Sequence, residues 1–360
     1  DYYEEAISDA RVSGLLAKKI ASAGSPIREM EQFIPKMLKD QDGALVLDFG
    51  QNIAGYVAMT LRDTVPGQKI TMTHGETLDF DGRFTTSNID GTPYPAETFQ
   101  QITYICKGAK QEFYKPMFAI FGFRYVKLEG YGENMQTQIQ ENDFTAIAVY
   151  SDMGETAEFS CSNPLLNQLF SNCKRSQKGN FMDVPVDCPT RERNAWTGDA
   201  QIYARTAGTL MNAYPFYEKW LKDQTIEQYE SGKVGITFPS TSSVHQPKEV
   251  EGMKHINPLY EIAGPSGNGN IGEDSAGWGD AAVWIPYIMY QCFGDKQILE
   301  NQYETARKWL EYELTCAKEH NPCYEAEPQY QNVSDGELDA DYIWDTKFHY
   351  GEWNEANGLL

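Results

Sequence analysis

The chain has 360 residues, 41% of them apolar and 23% charged, which leaves room for about two globular domains and is wrong for a disordered chain. Its 30 Lys+Arg stand against 52 Asp+Glu, and the resulting charge of −22 repels phosphate backbones and anionic headgroups, excluding nucleic acid and membrane as expected partners. Twenty-two Tyr, 17 Phe and 7 Trp suit ring-shaped polar solutes such as sugars, and no apolar run approaches the ~18 residues of a membrane span.

Residues 1–43 read as an irregular or weakly helical lead-in, broken at Gly24-Ser25-Pro26 and Asp42-Gly43. The opening Asp1-Tyr2-Tyr3-Glu4-Glu5 has neither an initiator Met nor a signal-peptide pattern. The expectation is a segment of a longer protein, and the missing leader says little about compartment. Over 44–155 short strands follow, at 44–49, 56–61, 69–74, 100–106, 123–129 and 146–150, separated by Pro66-Gly67, Asp81-Gly82, Asp90-Gly91 and Gly130. Period-2 runs with this punctuation predict an antiparallel β-sandwich.

Near residue 160 the period switches. Ser162-Asn163-Pro164 is a helix start, and Leu165, Leu166, Leu169, Phe170 and Cys173 then form one apolar stripe. Further helices are expected at 199–210, 213–229, 280–293 and 296–318, with a long Gly-, Ser- and Pro-rich stretch over 232–279. Loops that long usually carry function. Successive helix pairs suggest an α/α toroid, so the fold class is multidomain β + α, a β-sandwich followed by a helical domain over 156–360.

The seven cysteines, at 106, 161, 173, 188, 292, 316 and 323, form no CxxC pair and no zinc spacing with the five histidines. An odd count leaves a thiol over, and Cys316 with Cys323 is the one local pairing to consider. No EF-hand-like loop is present. Neither metal nor cofactor is expected, and the oligomeric state stays open.

The densest polar cluster runs from Asp187 through Cys188, Pro189, Thr190, Arg191, Glu192, Arg193, Asn194, Ala195, Trp196, Thr197 and Gly198 to Asp199. It lies between two helices, and Pro189 and Gly198 stop it from being one continuous helix. A carboxyl that donates a proton at neutral pH needs a raised pKa, from burial against an aromatic ring or from neighbouring negative charge. Glu192 has such neighbours in Asp187, Asp199 and Trp196. Arginine forks can hold hydroxyls or fix a carboxylate. The plainer alternative is a solvated ion-pair knot. A second cluster, Gly272 to Ala282, sets Trp278 between glycines and puts Asp280 where it could cap the next helix. A third contains Trp344, Asp345, His349, Glu352 and Trp353, with His349 read first as a hydrogen-bonded core histidine. Three aromatic and acidic clusters on loops between helices point to a sugar site.

On these residues a family resemblance becomes specific. Asp187-Cys-Pro-Thr-Arg-Glu-Arg-Asn-Ala-Trp-Thr-Gly-Asp-Ala200 resembles the active-site signature of bacterial α-L-rhamnosidases, glycoside hydrolase family 78. Trp278-Gly-Asp-Ala-Ala282 and Tyr350-Gly-Glu-Trp353 are similar to later stretches of that catalytic domain. Leu47-Asp-Phe-Gly-Gln-Asn-Ile-Ala-Gly-Tyr56, His74-Gly-Glu76 and Phe121-Gly-Phe-Arg-Tyr125 resemble the β-sandwich domain that precedes it.

The resemblance implies an (α/α)6 barrel and hydrolysis of terminal α-L-rhamnose with inversion, on a rhamnose-containing oligosaccharide or glycoside. Carried over by position, Glu192 is the general acid. Asp187, Arg191 and Asp199 bind rhamnose hydroxyls, Trp196 and Trp278 wall the pocket, and Asp280 joins the substrate-binding set. Five or six helices make about half of a twelve-helix toroid, so the chain is expected to hold only the N-terminal part of the barrel. Inversion also needs a second carboxylate roughly 6.5–9.5 Å from the acid; no family segment for it appears before Leu360, and Glu352, Glu355, Glu273 and Asp280 are the fallback candidates. His74 and Glu76 are candidates for the edge of the site. The alternatives are an (α/α)6 glycosidase of other sugar preference, and a carbohydrate-binding or inactive relative. Glycosylated rhamnosides are met outside the cytoplasm, which tilts the expectation to a periplasmic or extracellular location.

Overall fold

The structure is a computed structural model, and it describes residues 23–90, 100–131, 139–239, 274–318, 344 and 349. Twelve strands and five α-helices are formed by these residues. The strands are β1 Ile27–Phe33, β2 Lys36–Lys39, β3 Leu45–Arg62, β4 Lys69–Gly75, β5 Thr77–Leu78, β6 Phe84–Thr85, β7 Gln101–Ile105, β8 Gln111–Tyr114, β9 Phe121–Glu129, β10 Phe144–Ser151, β11 Phe181–Met182 and β12 Val184–Pro185. The helices are α1 Pro164–Asn180, α2 Thr197–Leu210, α3 Tyr214–Glu227, α4 Ala281–Phe293 and α5 Gln297–Ala317.

The long strand β3 organises the β domain. β2 and β9 flank its first part, β10 and β8 its last, so the sandwich is one curled antiparallel sheet in the order β1-β10-β3-β9-β4-β7 with β2 and β8 added at β3. The cause is local. The Asp48 carboxylate accepts the Gly50 N–H at 2.7 Å, Gly50 takes a φ of +72°, and the register against β9 slips between Asp48 and Ile53. A bulge of this kind bends and twists a strand. Leu47, Val57, Met59, Ile70, Met72, Phe123, Val126 and Phe144 fill the space so enclosed.

Within the lead-in read from sequence as irregular over 1–43, residues 27–33 and 36–39 are strands. β1 is a largely exposed edge strand whose alternation is polar. Glu29 accepts from Tyr56 and Lys115, while Glu31 accepts from Tyr150, Arg175 and Lys178. A hydrophobic period cannot reveal such a strand.

Asn163 caps α1 by accepting the Leu165 N–H at 2.9 Å, with Pro164 at the first helical position, as the sequence suggests. The apolar stripe does not behave as a core stripe, however. Leu165, Leu166 and Leu169 are exposed, and only Phe170 and Cys173 pack against the core. The helix instead lies on β3 and β10, held by Arg175 and Lys178 on Glu31 and by Lys174 and Lys178 on Glu155. Behind it, α2, α3, α4 and α5 enclose Ala204, Ala207, Phe216, Tyr217, Trp220, Ile285, Met289 and Trp309. No helix among the described residues is long and apolar enough to cross a membrane.

Candidate functional site

The cluster at 187–199 is a closed turn set between the β11–β12 hairpin and α2. Asp187 N–H donates to the Asn194 carbonyl at 3.0 Å, and Asn194 N–H returns a bond to Asp187 Oδ1 at 3.0 Å. Inside that closure, Glu192 N–H donates to Cys188 Sγ at 3.3 Å. The far side is held by 236–238: Thr197 N–H donates to the Ile236 carbonyl at 2.8 Å and Phe238 N–H to the Ala195 carbonyl at 3.1 Å. The start of the long 232–279 stretch therefore buttresses the turn; residues 240–273 lie outside the described residues.

Glu192 sits where sequence spacing places it, though on a turn and not on a helix. Trp196 Nε1–H donates to Glu192 Oε2 at 3.0 Å, and Arg191 Nη2 lies 3.6 Å from Glu192 Oε1. The carboxyls pushed upward are its two neighbours. Asp187 is raised to about 6, chiefly by burial, against a bond from the Cys188 thiol, with the Glu192 charge adding to the rise. Asp199, in the first turn of α2, keeps an open surface; crowding about its carboxyl raises it, and Glu192 adds again. One charge thus acts on both acids, and the three carboxyls form one electrostatic unit.

The second cluster meets this turn through Gly198. A Cβ there would come within 2.7–2.9 Å of three atoms of the Trp278 indole, so the ring lies directly against the backbone beside Asp199. Gln201 Nε2 donates to the Gly277 carbonyl at 2.8 Å and ties the same turn to α2.

Asp280 requires a correction. It stands at the N-terminus of α4, but its side chain makes no capping bond to that helix. Its Oδ2 accepts Gly277 N–H at 3.1 Å and its Oδ1 accepts Trp309 Nε1–H at 2.9 Å, and Glu313 adds a proton-sharing contact. Burial and that contact raise Glu313 to about 8. Each oxygen accepts one tertiary donor, so Asp280 braces the Trp278 turn. His349 Nδ1 accepts the Ala276 N–H at 3.2 Å on the same turn, and its ring meets Trp344 edge-on at 4.8 Å. Glu273, Glu352, Glu355 and Cys323 lie outside the described residues.

His74 and Glu76 are engaged by partners within the β domain. Glu76 accepts from the Asn52 and Asn88 side chains. His74 is fully buried, stacked on Phe121 at 4.2 Å, with Nδ1–H on the Gln100 carbonyl at 2.9 Å and Nε2 without a partner among the described residues. Burial holds its pKa at about 4, with Arg193 pushing the same way. An unfolded His titrates near ~6.5, so between there and about pH 4 the unfolded chain takes a proton that the folded one refuses. The stability carried by the neutral ring is complete above ~6.5 and is lost as pH falls through that window, on the order of 3 kcal/mol. The His74→Phe variant keeps the stacked ring and is expected to flatten this part of the curve in urea melts taken from pH 7 to 4. A wild-type slope in the variant would refute the account.

Sequence reasoning missed Gln100, whose buried amide reaches Arg193, and Glu313 beneath Asp280. Neither sits in a motif. No group of His, Cys, Asp and Glu among the described residues is arranged to hold a metal ion.

Comparison with known proteins agrees with both halves of the chain. The profile of the bacterial alpha-L-rhamnosidase 6 hairpin glycosidase domain matches residues 154–337, and that of the bacterial alpha-L-rhamnosidase concanavalin-like domain matches residues 38–150. An alpha-L-rhamnosidase of Streptomyces avermitilis is 32% identical over 296 residues, covering 81% of this chain and 25% of the relative. One from Alteromonas sp. strain LOR is 31% identical, covering 87% and 30%. Among solved structures, the Streptomyces avermitilis alpha-L-rhamnosidase complexed with L-rhamnose is similar with a TM-score of 0.69 at 30% identity, over 82% of this chain and 25% of that one. The Aspergillus terreus enzyme gives 0.67 at 33% identity, over 81% and 30%. The chain thus spans between a quarter and a third of the length of these relatives.

Proposed function

Because the chain belongs to the bacterial α-L-rhamnosidase family, we propose that it carries the acid side of a glycosidase that releases terminal α-L-rhamnose with inversion. Glu192 is the proton donor. Its proton passes to the glycosidic oxygen as the C1–O bond breaks, and water attacks the opposite face of the ring. The attacking water gives its proton to a second carboxylate, roughly 6.5–9.5 Å away in such enzymes. Glu273, Glu352, Glu355 and Asp280 are the fallback candidates for that base. Asp187, Arg191 and Asp199 take up hydroxyls, and Trp196 and Trp278 offer apolar faces to the sugar.

The observation that carries this reading is the Glu192 carboxyl held by the Trp196 indole N–H and Arg191 while its charge acts on Asp187 and Asp199. Donation from an acid group positioned in this way contributes about 10²–10⁴ in rate. A second reading is favoured by one observation: Asp187, raised to about 6, stays partly protonated near neutral pH and could itself be the donor. Against it, Asp187 Oδ1 is committed to closing the turn through the Asn194 N–H, whereas the Glu192 carboxyl takes no part in that closure.

Hydrolysis of an aryl α-L-rhamnoside, with the aryl α-D-glucoside and α-L-arabinoside as controls, tests the proposal. Turnover of the rhamnoside alone is expected, with the β-anomer of rhamnose appearing first in NMR. Equal turnover of the other sugars would replace the rhamnosidase reading by a glycosidase of other preference. Rhamnose binding with no turnover, in the full-length protein, would favour a carbohydrate-binding or inactive relative. Asp199→Asn and Arg191→Ala are expected to weaken rhamnose binding, each by about tenfold, the scale of one charge-assisted hydrogen bond. Unchanged affinity in both would remove those residues from the pocket.

A further inference from the structure

The β domain meets the 187–194 turn through Gln100, a buried side chain. Gln100 has no exposed surface, and both ends of its amide are engaged: Nε2–H₂ donates to the Gly122 carbonyl at 2.8 Å and Oε1 accepts Arg193 Nη2 at 2.6 Å. The first bond fixes which way the amide points, so the oxygen must face Arg193. Its backbone carbonyl accepts both His74 N–H at 2.8 Å and His74 Nδ1–H at 2.9 Å. Arg193 in turn donates Nε–H to the Thr190 carbonyl at 3.0 Å and lies over the Phe121 ring at 5.8 Å. Its φ is +55°, a left-handed value that costs a non-glycine residue on the order of 1 kcal/mol and persists only where surroundings impose it. Gly122 completes the fit, since a Cβ there would fall 2.5 Å from Thr190 Cγ2 and 2.8 Å from Pro189 Cγ.

We infer that Gln100, a residue of the β domain, is a positioning residue that acts through Arg193 to aim the Glu192 carboxyl. Arg193 immediately follows Glu192, so the conformation imposed on it sets the direction in which the Glu192 side chain leaves the turn. The guanidinium fork spans Gln100 and Thr190 at once, which locks the turn against the sheet. On this account the β domain is part of the catalytic machinery and not only a platform. The inference rests on the reading of Glu192 as proton donor, and the test separates the two.

The variants are Gln100→Leu, which removes the acceptor at similar volume, Gln100→Glu, which keeps an oxygen for Arg193, and Arg193→Lys, which lacks the fork needed to reach both partners. Substrates are two aryl rhamnosides, one with a poor leaving group that needs the proton and one with a dinitrophenyl group that does not. In Gln100→Leu and Arg193→Lys, kcat on the first is expected to fall by about tenfold or more while kcat on the second changes by less than about twofold, the signature of a misplaced general acid. Gln100→Glu, protonated so that it still donates to the Gly122 carbonyl while its other oxygen accepts from Arg193, should recover part of the loss. The indole N–H cross-peak of Trp196 reports the Glu192 carboxyl directly and should move in the first two variants, with thermal melts confirming that they are folded. Equal losses on both substrates, or an unmoved Trp196 peak in a folded variant, overturn the inference. If the full-length wild-type protein turns over no rhamnoside, the donor reading of Glu192 falls by itself, and the Trp196 peak alone decides whether Gln100 aims that carboxyl.

Discussion

Replacing Glu192 by Gln is expected to cut turnover of rhamnosides with poor leaving groups by about 10²–10⁴ while leaving rhamnose affinity largely intact. The substitution is close to a pure chemical deletion. A Gln side-chain oxygen can still accept the Trp196 indole N–H, and the bonds that close the turn, from Asp187 to Asn194 and from the Glu192 backbone to Cys188, do not use the Glu192 carboxyl. What disappears is the ionisable group: the proton of its acid form and the negative charge of its ionised form. Loss of the proton falls on poor leaving groups and spares activated ones. Loss of the charge has a second, independent consequence, because Glu192 raises the pKa of both Asp187 and Asp199. In the variant both are expected to titrate lower. Asp187 should move below about 6 but stay above its ordinary value, since burial and not Glu192 is the larger cause. Carboxyl NMR titration reads this shift. Near-normal turnover of the poor substrate would end the assignment, and if Asp187→Asn alone showed the leaving-group signature, the donor role would pass to Asp187.

The parts of this molecule that were legible in the sequence are those whose determinants are local. Asn163-Pro164 announces α1 because cap and first-turn proline act within three residues. The strands around Ile70–Met72 and Phe123–Val126 show because alternate side chains enter one core. The Glu192–Trp196 contact was readable because four residues separate them, although a turn, and not a helix, brings them together. The rest depended on partners remote in sequence. β1 is invisible to an apolar period because it is held by Tyr56, Tyr150, Lys115 and Arg175, residues up to 144 positions away. The stripe Leu165-Leu166-Leu169 has the right spacing for a core face, yet ion pairs to Glu31 and Glu155 turn the polar side of α1 toward the sheet. Asp280 has the position of a helix cap, but Trp309 and Gly277 supply better-placed donors. Gln100, a single amide with no motif around it, acquires a role only because the fold sets it beneath Arg193.

The same dependence on remote partners makes Gly198→Ala a sharp test of the Trp278 wall. In an ordinary helix this change stabilises by about 0.5–1 kcal/mol, because glycine loses more backbone entropy on folding. Here the new methyl would come within 2.7–2.9 Å of the Trp278 indole. The backbone has little freedom to yield: Gln201 holds the Gly277 carbonyl and Asp280 holds the Gly277 N–H, so the turn that carries Trp278 is pinned on both sides. The indole must therefore tilt while its backbone stays. The expected result is a rhamnose affinity lowered by about tenfold, ~1.4 kcal/mol, in a protein whose thermal midpoint moves by only a few degrees. Trp278→Ala should lose at least as much. If both act through the same ring, the double variant should be no worse than Trp278→Ala, a coupling energy as large as the Gly198→Ala effect itself. Losses that simply add would mean that Gly198 matters for another reason, such as the start of α2 beside Asp199. Wild-type affinity in Gly198→Ala would mean that the Trp278 ring does not form a wall of the rhamnose pocket.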